Sequence, residues 1–572
     1  MRERHLNRDR YGLPLTTGSD SAAAFYRDGV ELLLSAWCGS EQAFDKAISE
    51  DPGFALAHIA RARVHQLHME IAEARTMAAL ARELATIATR RERQHVAILA
   101  AAIEGKPKDA LTGAEQHLDE FPCDALVFGL LLGAFGLYAF SGRADHDAAR
   151  LAICERHARH YGEDWWFLTY LGWSHTEAGN VRAGRTITER AIAIRPQNGN
   201  AAHALSHAHF EQGDALAGDA FLSEWLLAHD GKSYLQGHLS WHVALVAVES
   251  GDADRALKTY NERIRPSEAR YPPLNVFTDC ASLLWRLTLG DKTVPASQWN
   301  EAAEYGNRFF PRAGAHFADL HHALVAAATD SDSLETRLAE LESLEARGSL
   351  APGSSAIDLC RGAKAFAQRD YDKAADLLEA AMPAVVQIGG SHAQRELWED
   401  TLIVACLRSG RNHKAPSSSR LVCSAGPRAA IRHGCGEPRW QQTSRPSAGG
   451  RYDAINFTFP RDVKPFTSEI AAIHYIDRQS LSQEAFMSSP RNQHPETRGI
   501  DWVAIERIFV LQVLALLALA GAFIGYVNWS SQIAFAEFSA ASNRAALESK
   551  AHPGSAPAVQ AEKRQVPGAG ST

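Results

Sequence analysis

Residues 171–198 read LGWSHTEAGNVRAGRTITERAIAIRPQN, residues 201–227 read AAHALSHAHFEQGDALAGDAFLSEWLL, and residues 238–260 read HLSWHVALVAVESGDADRALKTY. Each stretch contains an apolar helical pattern, a turn centred on glycine, and a second helical pattern with small residues at helical spacing. A pattern that recurs with a period in the thirties is typical of helix pairs stacked into a solenoid.

The turn glycines support this register, because Gly179, Gly213 and Gly251 lie 34 and then 38 residues apart. In the tetratricopeptide pattern, small residues let two helices approach closely while bulky residues fill the groove between them. The first copy, which begins just before residue 171, supplies these positions at Leu168, Leu171, Gly172, His175, Gly184, Ala191 and Pro196. A late copy supplies them at Gly362, Ala365, Ala374, Leu378 and Ala381. We therefore predict an all-α, tetratricopeptide-like helical-repeat solenoid over residues 20–410, preceded by a polar lead at residues 1–19.

Composition, charge and the absence of known motifs argue against several classes of function. The chain of 572 residues is 46% hydrophobic and has a formal charge of -8, which argues against nucleic-acid binding. Its eight cysteines form no Cys-x-x-Cys pair, so neither a zinc ribbon nor a disulfide framework is indicated. Neither a phosphate-binding loop nor a Gly-x-Ser-x-Gly elbow occurs in the sequence. The charged N-terminus lacks the apolar run of a secretory signal. We expect a protein that is not an enzyme and needs no cofactor.

Five segments carry a resemblance to a known family. They are DRYGLPL near the N-terminus, FDKAISEDPGFALAH at residues 44–58, RRERQHVAIL at residues 90–99, and the two histidine-containing segments HALSHAHFEQGD and HLSWHVALVAVESGDADRAL. Over about residues 8–412 the chain resembles the tetratricopeptide repeat protein 38 family. The resemblance implies a helical-repeat protein without an established enzymatic activity, and it adds no reaction.

Residues 411–451 depart from the repeat pattern. Their basic residues are several arginines and Lys414, whereas Glu437 is their single acid. Their composition favours a basic disordered linker. A membrane-surface or nucleic-acid patch is a weaker interpretation, because no aromatic or helical pattern organises the charge. A third hypothesis is translation in a shifted frame of GC-rich DNA, since the change comes just after the first helix of a repeat.

A transmembrane helix is predicted at residues 506–529, between a juxtamembrane segment at 452–505 and a polar, partly disordered tail at 530–572. Its apolar run IFVLQVLALLALAGAFIGYV, residues 508–527, would span about 30 Å at about 1.5 Å per residue, the thickness of a bilayer core. A buried core helix is the alternative. Arginines are denser before the run than after it, so the positive-inside rule predicts a single-pass membrane protein with cytoplasmic repeats. If the frame hypothesis holds, the protein is instead soluble in the cytoplasm.

Paired histidines are the candidates for metal chemistry. His203 and His207 are four residues apart, as are His238 and His242, so each pair lies on one helix face. Two such helices side by side could bring four ligands to zinc. No His-Glu-x-x-His motif is present, and histidines that pack and hydrogen-bond within a helix stack are the commoner outcome.

Aromatic rings at the same helices favour a partner-binding groove. The repeat register predicts that one concave surface is lined by Trp166, Trp173, His203, His207, His238 and Trp241. Rigid rings give large contact area at low entropic cost, which suits peptide recognition. The alternative is that the tryptophans belong to the core between repeats. We predict a protein-interaction scaffold that binds a peptide or protein partner, with a metal-binding protein or metal-dependent enzyme as the second hypothesis.

Overall fold

The computed structural model describes residues 7–269 and 272–411. Within these ranges the regular structure is helical, with two isolated β-bridges, Arg8–Pro14 and Trp37–Ser233. The all-α fold class predicted from the sequence is confirmed for this part of the chain. The predicted linker from residue 412 onward, the juxtamembrane segment, the membrane helix and the tail lie outside the described residues. Among the described helices, none is both long enough and apolar enough to cross a membrane.

Twenty-one α-helices follow one another in the described ranges, and helices joined by short turns pack side by side. Their bounds are α1 (Asp20–Leu34), α2 (Ser40–Glu50), α3 (Ala55–Leu67), α4 (Ile71–Leu84), α5 (Arg90–Ile103), α6 (Pro107–Glu120), α7 (Ala125–Leu131), α8 (His146–His157), α9 (Trp165–Glu177), α10 (Val181–Ile194), α11 (Gly199–Gln212), α12 (Ala215–Ala228), α13 (Gln236–Glu249), α14 (Ala253–Thr259), α15 (Pro273–Leu289), α16 (Ala296–Phe309), α17 (His316–Ala328), α18 (Ser333–Ala346), α19 (Ser354–Ala367), α20 (Tyr371–Ala381) and α21 (His392–Arg408).

The pair α9 and α10 explains why the repeat needs glycine. A Cβ atom on Gly172 would overlap the hydroxyl of Thr188 and lie 2.9 Å from the carbonyl oxygen of Gly184. A Cβ atom on Gly184 would lie 2.6 Å from the carbonyl oxygen of Gly172. Because backbone lies against backbone here, neither helix can move aside for a side chain without losing its contact with the other.

The predicted turn glycines are found between the paired helices. Gly179, Gly213 and Gly251 have φ angles of 86°, 76° and 76°. Glycine adopts this left-handed conformation without the steric cost that a Cβ atom brings. Each turn therefore reverses the chain over a few residues, and the two helices of each pair become neighbours.

Two large apolar clusters form the core of the described helices. One runs from Leu15 to Phe167, and the other runs from Trp241 to Cys406. Between them in sequence lie two smaller clusters, within Leu168–Val243. The central helices α9, α11 and α13 therefore join two cores, and their polar residues lie at this junction.

The turn between α1 and α2 contacts the central repeats. The N–H of Gly199 donates to the carbonyl oxygen of Ser35 at 2.9 Å, and the N–H of Tyr234 donates to that of Ala36 at 2.9 Å. The hydroxyl of Ser233 donates to the same Ala36 oxygen at 3.0 Å. We call residues 35–38 with residues 231–234 the closure contact.

The last described helix also reaches back to the centre. The N–H of His392, at the start of α21, donates to Glu177 at 2.9 Å, and Arg395 pairs with Asp147 at 3.1 Å. The side chain of Trp285 on α15 donates to Thr401 of α21 at 3.0 Å. Helix α21 is thereby fixed against both α9 and α15.

Candidate functional site: a histidine cluster beside an apolar cavity

Four histidines of the central repeats meet in one cluster. His203 and His207 project from α11, and His238 and His242 project from α13, as the spacing of four residues predicts. The Nε2 atoms of His207 and His238 each lie 3.0 Å from Nε2 of His203. The ring of His242 lies 4.6 Å from that of His207 and 5.0 Å from that of His238, measured between centroids.

Two buried carboxylates stand behind this histidine cluster. Nδ1 of His238 donates to Asp279 of α15 at 2.9 Å, and Nδ1 of His207 lies 3.2 Å from Oε1 of Glu177 at the end of α9. With a proton on Nδ1, the Nε2 atom of His238 carries a lone pair that points at His203. Asp279 thus fixes the tautomer and the orientation of the His238 imidazole.

Burial keeps the cluster neutral at its centre. It lowers the pKa of His203 and of His242 well below the ordinary value for histidine, and the neighbouring imidazoles lower both further. Burial also raises the pKa of Asp279, which His238 offsets in part. Burial opposes ionisation of Glu177 too, but the contact with His207 and the charge of Arg395 together hold the pKa of Glu177 below its usual value.

Tryptophan rings hold two of the imidazoles in place. Trp173 stacks on His203 with centroids 4.9 Å apart, and Trp241 stacks on His238 at 5.3 Å. The indole N–H of Trp241 donates to Ser282 at 3.0 Å. These contacts limit the rotation of both histidines.

A cavity of about 440 Å³ opens beside the cluster, and His203 and His238 form part of its floor. Its walls are mostly apolar side chains from α1, α3, α5 and α7, together with Trp166 and Trp173 of α9. Residues of the closure contact, among them Ala36 and Tyr234, line it as well. The cavity is therefore bounded by helices that lie far apart in sequence.

Of the six residues predicted to line a concave surface, four line the cavity: Trp166, Trp173, His203 and His238. His207 and Trp241 lie behind it and are fully buried, each with 0% of its surface exposed. Trp166 and Trp173 are only 1% and 2% exposed. They therefore line the cavity and also belong to the core between the helices. The four predicted metal ligands come together, and the ring nitrogens of three of them, His203, His238 and His242, lie within 4.8 Å of one another.

Arg63 of α3 is a cavity residue that the sequence did not single out. Its guanidinium donates to Gln66 at 2.5 Å, and it makes no ion pair with any described carboxylate. Burial lowers the pKa of Arg63 to about 10, so the group still carries its charge at neutral pH. Its helical neighbour Arg61 differs, because it pairs with Asp45 at 2.8 Å. A charge in an apolar wall without a counter-ion is costly unless a ligand supplies one.

Asp279 and Glu177 were also missed. Asp279 is the one acid of α15, a mostly apolar helix in which a charged side chain is rarely buried without a partner. That mismatch was the available sequence signal. Glu177 gave none, since it lies near a turn where acids are common.

No family model matches the chain. Among solved structures, yeast Tom70 is 14% identical, with a TM-score of 0.24, over 72% of this chain and 95% of that chain. The P58(IPK) TPR domain is 14% identical, with a TM-score of 0.18, over 69% and 99%. Naa15/Naa10 bound to HypK-THB is 13% identical, with a TM-score of 0.17, over 72% and 66%. These likenesses are too distant to carry a function, and the resemblance to the tetratricopeptide repeat protein 38 family stays a prediction.

Proposed function

We propose that the protein is a non-catalytic binding scaffold of the helical-repeat kind, and that its cavity receives a small apolar carboxylate. The carboxylate pairs with Arg63, and the apolar body lies against Trp166 and Trp173. Stacked helix pairs form the concave surfaces on which repeat proteins bind their ligands. The observation that carries the proposal is the unpaired guanidinium in an apolar wall.

The walls set the chemistry of the ligand. A cavity of about 440 Å³ is within the range of about 300–1,000 Å³ that small-molecule sites occupy, and such sites are mostly apolar with a few polar groups. An arginine recognises a carboxylate through parallel N–H donors. His203 and His238 contribute imidazole rings to the floor, and such rings suit a ligand hydroxyl rather than a second anion.

The carboxylate that pairs with Arg63 could belong to a free small acid or to a peptide. A peptide is the partner class predicted from the sequence. The closure contact bounds one side of the cavity through hydrogen bonds such as Tyr234 to Ala36. An extended peptide needs an open groove, so this contact favours the free acid. A peptide partner is the second outcome of the test.

Calorimetric titration of the full-length protein with 2-naphthoate tests the proposal. We expect one binding site, and we expect Arg63→Met to weaken binding at least about tenfold, since a hydrogen bond to a charged group contributes about 1.5–3 kcal/mol. Arg61→Met is the matched control, because Arg61 lies on the same helix and pairs elsewhere with Asp45. It should leave the affinity unchanged.

A second ligand distinguishes the contribution of the carboxylate to the affinity from that of the aromatic ring. 2-Naphthylmethanol has the same apolar body without the charge, so it should bind more weakly and respond little to Arg63→Met. A peptide ending in an apolar residue and a free carboxylate tests the other source; if it binds at one site while 2-naphthoate does not, the small-acid proposal is wrong. Equal losses in Arg61→Met and Arg63→Met would contradict the assignment of Arg63.

A further inference from the structure

We infer that the histidine cluster is a binding site for a divalent transition metal, with zinc as the expected ion and His203, His238 and His242 as ligands. This goes beyond the proposed function, since binding of a carboxylate at Arg63 requires no metal. The inference rests on the directions of the lone pairs, on the spacing of the ring nitrogens, and on the carboxylate behind His238.

The hydrogen bonds within the cluster leave a lone pair unsatisfied. Nε2 of His203 lies 3.0 Å from Nε2 of both His207 and His238, and Nε2 of His238 carries a lone pair because Nδ1 of that ring donates to Asp279. A neutral imidazole has at most one proton on that nitrogen, so it can satisfy only one of the two. In addition, Nε2 of His242 has no hydrogen-bond partner among the described residues, and the residue is only 3% exposed. A cation among these nitrogens satisfies the lone pairs that protons cannot.

The spacing of the ring nitrogens fits coordination after small side-chain rotations. Zinc binds histidine nitrogen at about 2.0–2.1 Å in tetrahedral geometry, which places ligand atoms about 3.3 Å apart. The Nε2 atoms of His203 and His238 are 3.0 Å apart, and a ring nitrogen of His242 lies within 4.8 Å of both. His207 does not belong to this set of mutually close nitrogens, and we assign it no coordination position.

The surroundings supply what a metal needs beyond its ligands. Asp279 accepts the Nδ1 proton of His238, the arrangement that orients most histidine ligands and strengthens their basicity. Asp279 and Glu177 also provide negative charge near an ion whose direct ligands are all neutral. Imidazole ligands without thiolate suit zinc, copper and nickel.

The coordination sphere has one open position. Three protein ligands leave a fourth site on a tetrahedral ion. His203 and His238 both line the cavity, whereas His242 does not. The open position therefore faces the cavity, where a ligand of the cavity can reach the metal.

Titration of chelator-treated, full-length protein with Zn²⁺ and with Co²⁺ tests the inference. We expect one equivalent of Zn²⁺ to bind, and Co²⁺ to give the strong visible absorption of a tetrahedral site. His242→Ala should abolish both signals. His392→Ala is the control, because the ring of this half-exposed histidine pairs with Glu211, while its contact with Glu177 is made by the backbone N–H that alanine retains; the variant should keep both signals.

Further variants separate loss of the site from loss of the fold. Asp279→Asn retains all three ligands and should weaken Zn²⁺ binding about 10- to 100-fold, with unchanged helical circular dichroism. Because His242 is not a cavity residue, His242→Ala should still bind 2-naphthoate, so failure of the two proposals can be told apart. Absence of a one-equivalent site in the wild type, or an unchanged site in folded His242→Ala, would overturn the inference.

Discussion

Asp279 accepts a hydrogen bond from Nδ1 of His238 at 2.9 Å, and both side chains are at least 96% buried. The pair joins α13 to α15 at the junction of the two apolar cores. It also sets which nitrogen of His238 carries the lone pair that faces His203. One buried carboxylate thus contributes to stability and to the chemistry of the site.

Asp279→Asn should lower the free energy of unfolding by about 1–3 kcal/mol, because it replaces a charged acceptor of a buried hydrogen bond. Urea denaturation of the purified protein measures this. Asp254→Asn is the matched control, since Asp254 pairs with Lys292 while its side chain is 88% exposed. The control should change stability by less than about 0.5 kcal/mol. If the two substitutions lower the free energy of unfolding equally, the hydrogen bond between His238 and Asp279 contributes no more to stability than an exposed ion pair.

Gly172→Ala should destabilise the central repeat by about 1–3 kcal/mol, the usual cost of forcing extra atoms into a packed contact. The added Cβ atom would meet the backbone of α10. Gly129→Ala on α7 is the comparison, because its nearest neighbour would be Trp166 at 3.8 Å, an ordinary contact. Alanine there should be neutral or stabilising by up to about 1 kcal/mol through helix propensity. Thermal unfolding that ranks the two variants in the opposite order contradicts the packing described.

Gly199→Ala should weaken the closure contact. Its Cβ atom would overlap the hydroxyl of Ser233, which donates to Ala36 and accepts from the N–H of Leu235. Hydrogen–deuterium exchange should rise in residues 32–38 and 231–236 while it stays unchanged in α19 and α20. Uniformly increased exchange would instead indicate global destabilisation.

Acid should destabilise the protein through His321. Burial lowers its pKa to about 4 in the folded chain, against about 6.5 when unfolded. Between these values the unfolded chain binds more protons, so the free energy of unfolding falls as pH falls from about 6.5 to about 4. His321→Gln should reduce this slope by about 1 kcal/mol per pH unit. Urea midpoints across this range measure it, and an unchanged slope contradicts a buried neutral His321.

The pH dependence of stability due to His392 should be opposite to that due to His321. The hydrogen bond from its ring to Glu211 raises its pKa. The stability it contributes is therefore present below about pH 6.5 and is lost as the pH rises through the folded value. His392→Gln should change how the free energy of unfolding depends on pH above pH 6.5, and it should leave the slope below pH 6.5 unchanged. An altered slope below pH 6.5 would show that the two histidines are not independent.

The sequence predicted the central repeats because their signals are local. Turn glycines at positive φ and small residues at helix contacts recur at fixed spacing, and the histidine pairs follow directly from helical periodicity. The spacing of four residues placed His203 with His207 and His238 with His242. Neighbouring repeats then brought the two pairs together.

Contacts between distant segments could not be predicted in this way. No local pattern relates Ser35 to Gly199, yet they are hydrogen-bonded, and their neighbours Leu34, Ala36 and Asn200 line the cavity. Periodicity identifies the face on which Trp241 lies but not what covers that face, and α15 buries its ring against Ser282. The unpaired state of Arg63 likewise depends on which acids the fold brings near it.

Fluorine NMR of the full-length protein labelled with 5-fluorotryptophan gives the most direct test that the cavity is the binding site. Trp166 and Trp173 line it, whereas Trp299 and Trp398 are buried elsewhere, and single Trp→Phe variants assign the signals. Addition of 2-naphthoate should shift the resonances of Trp166 and Trp173 and leave those of Trp299 and Trp398 in place. Saturable binding that leaves the Trp166 and Trp173 resonances unmoved would place the ligand outside the cavity and contradict the proposed function.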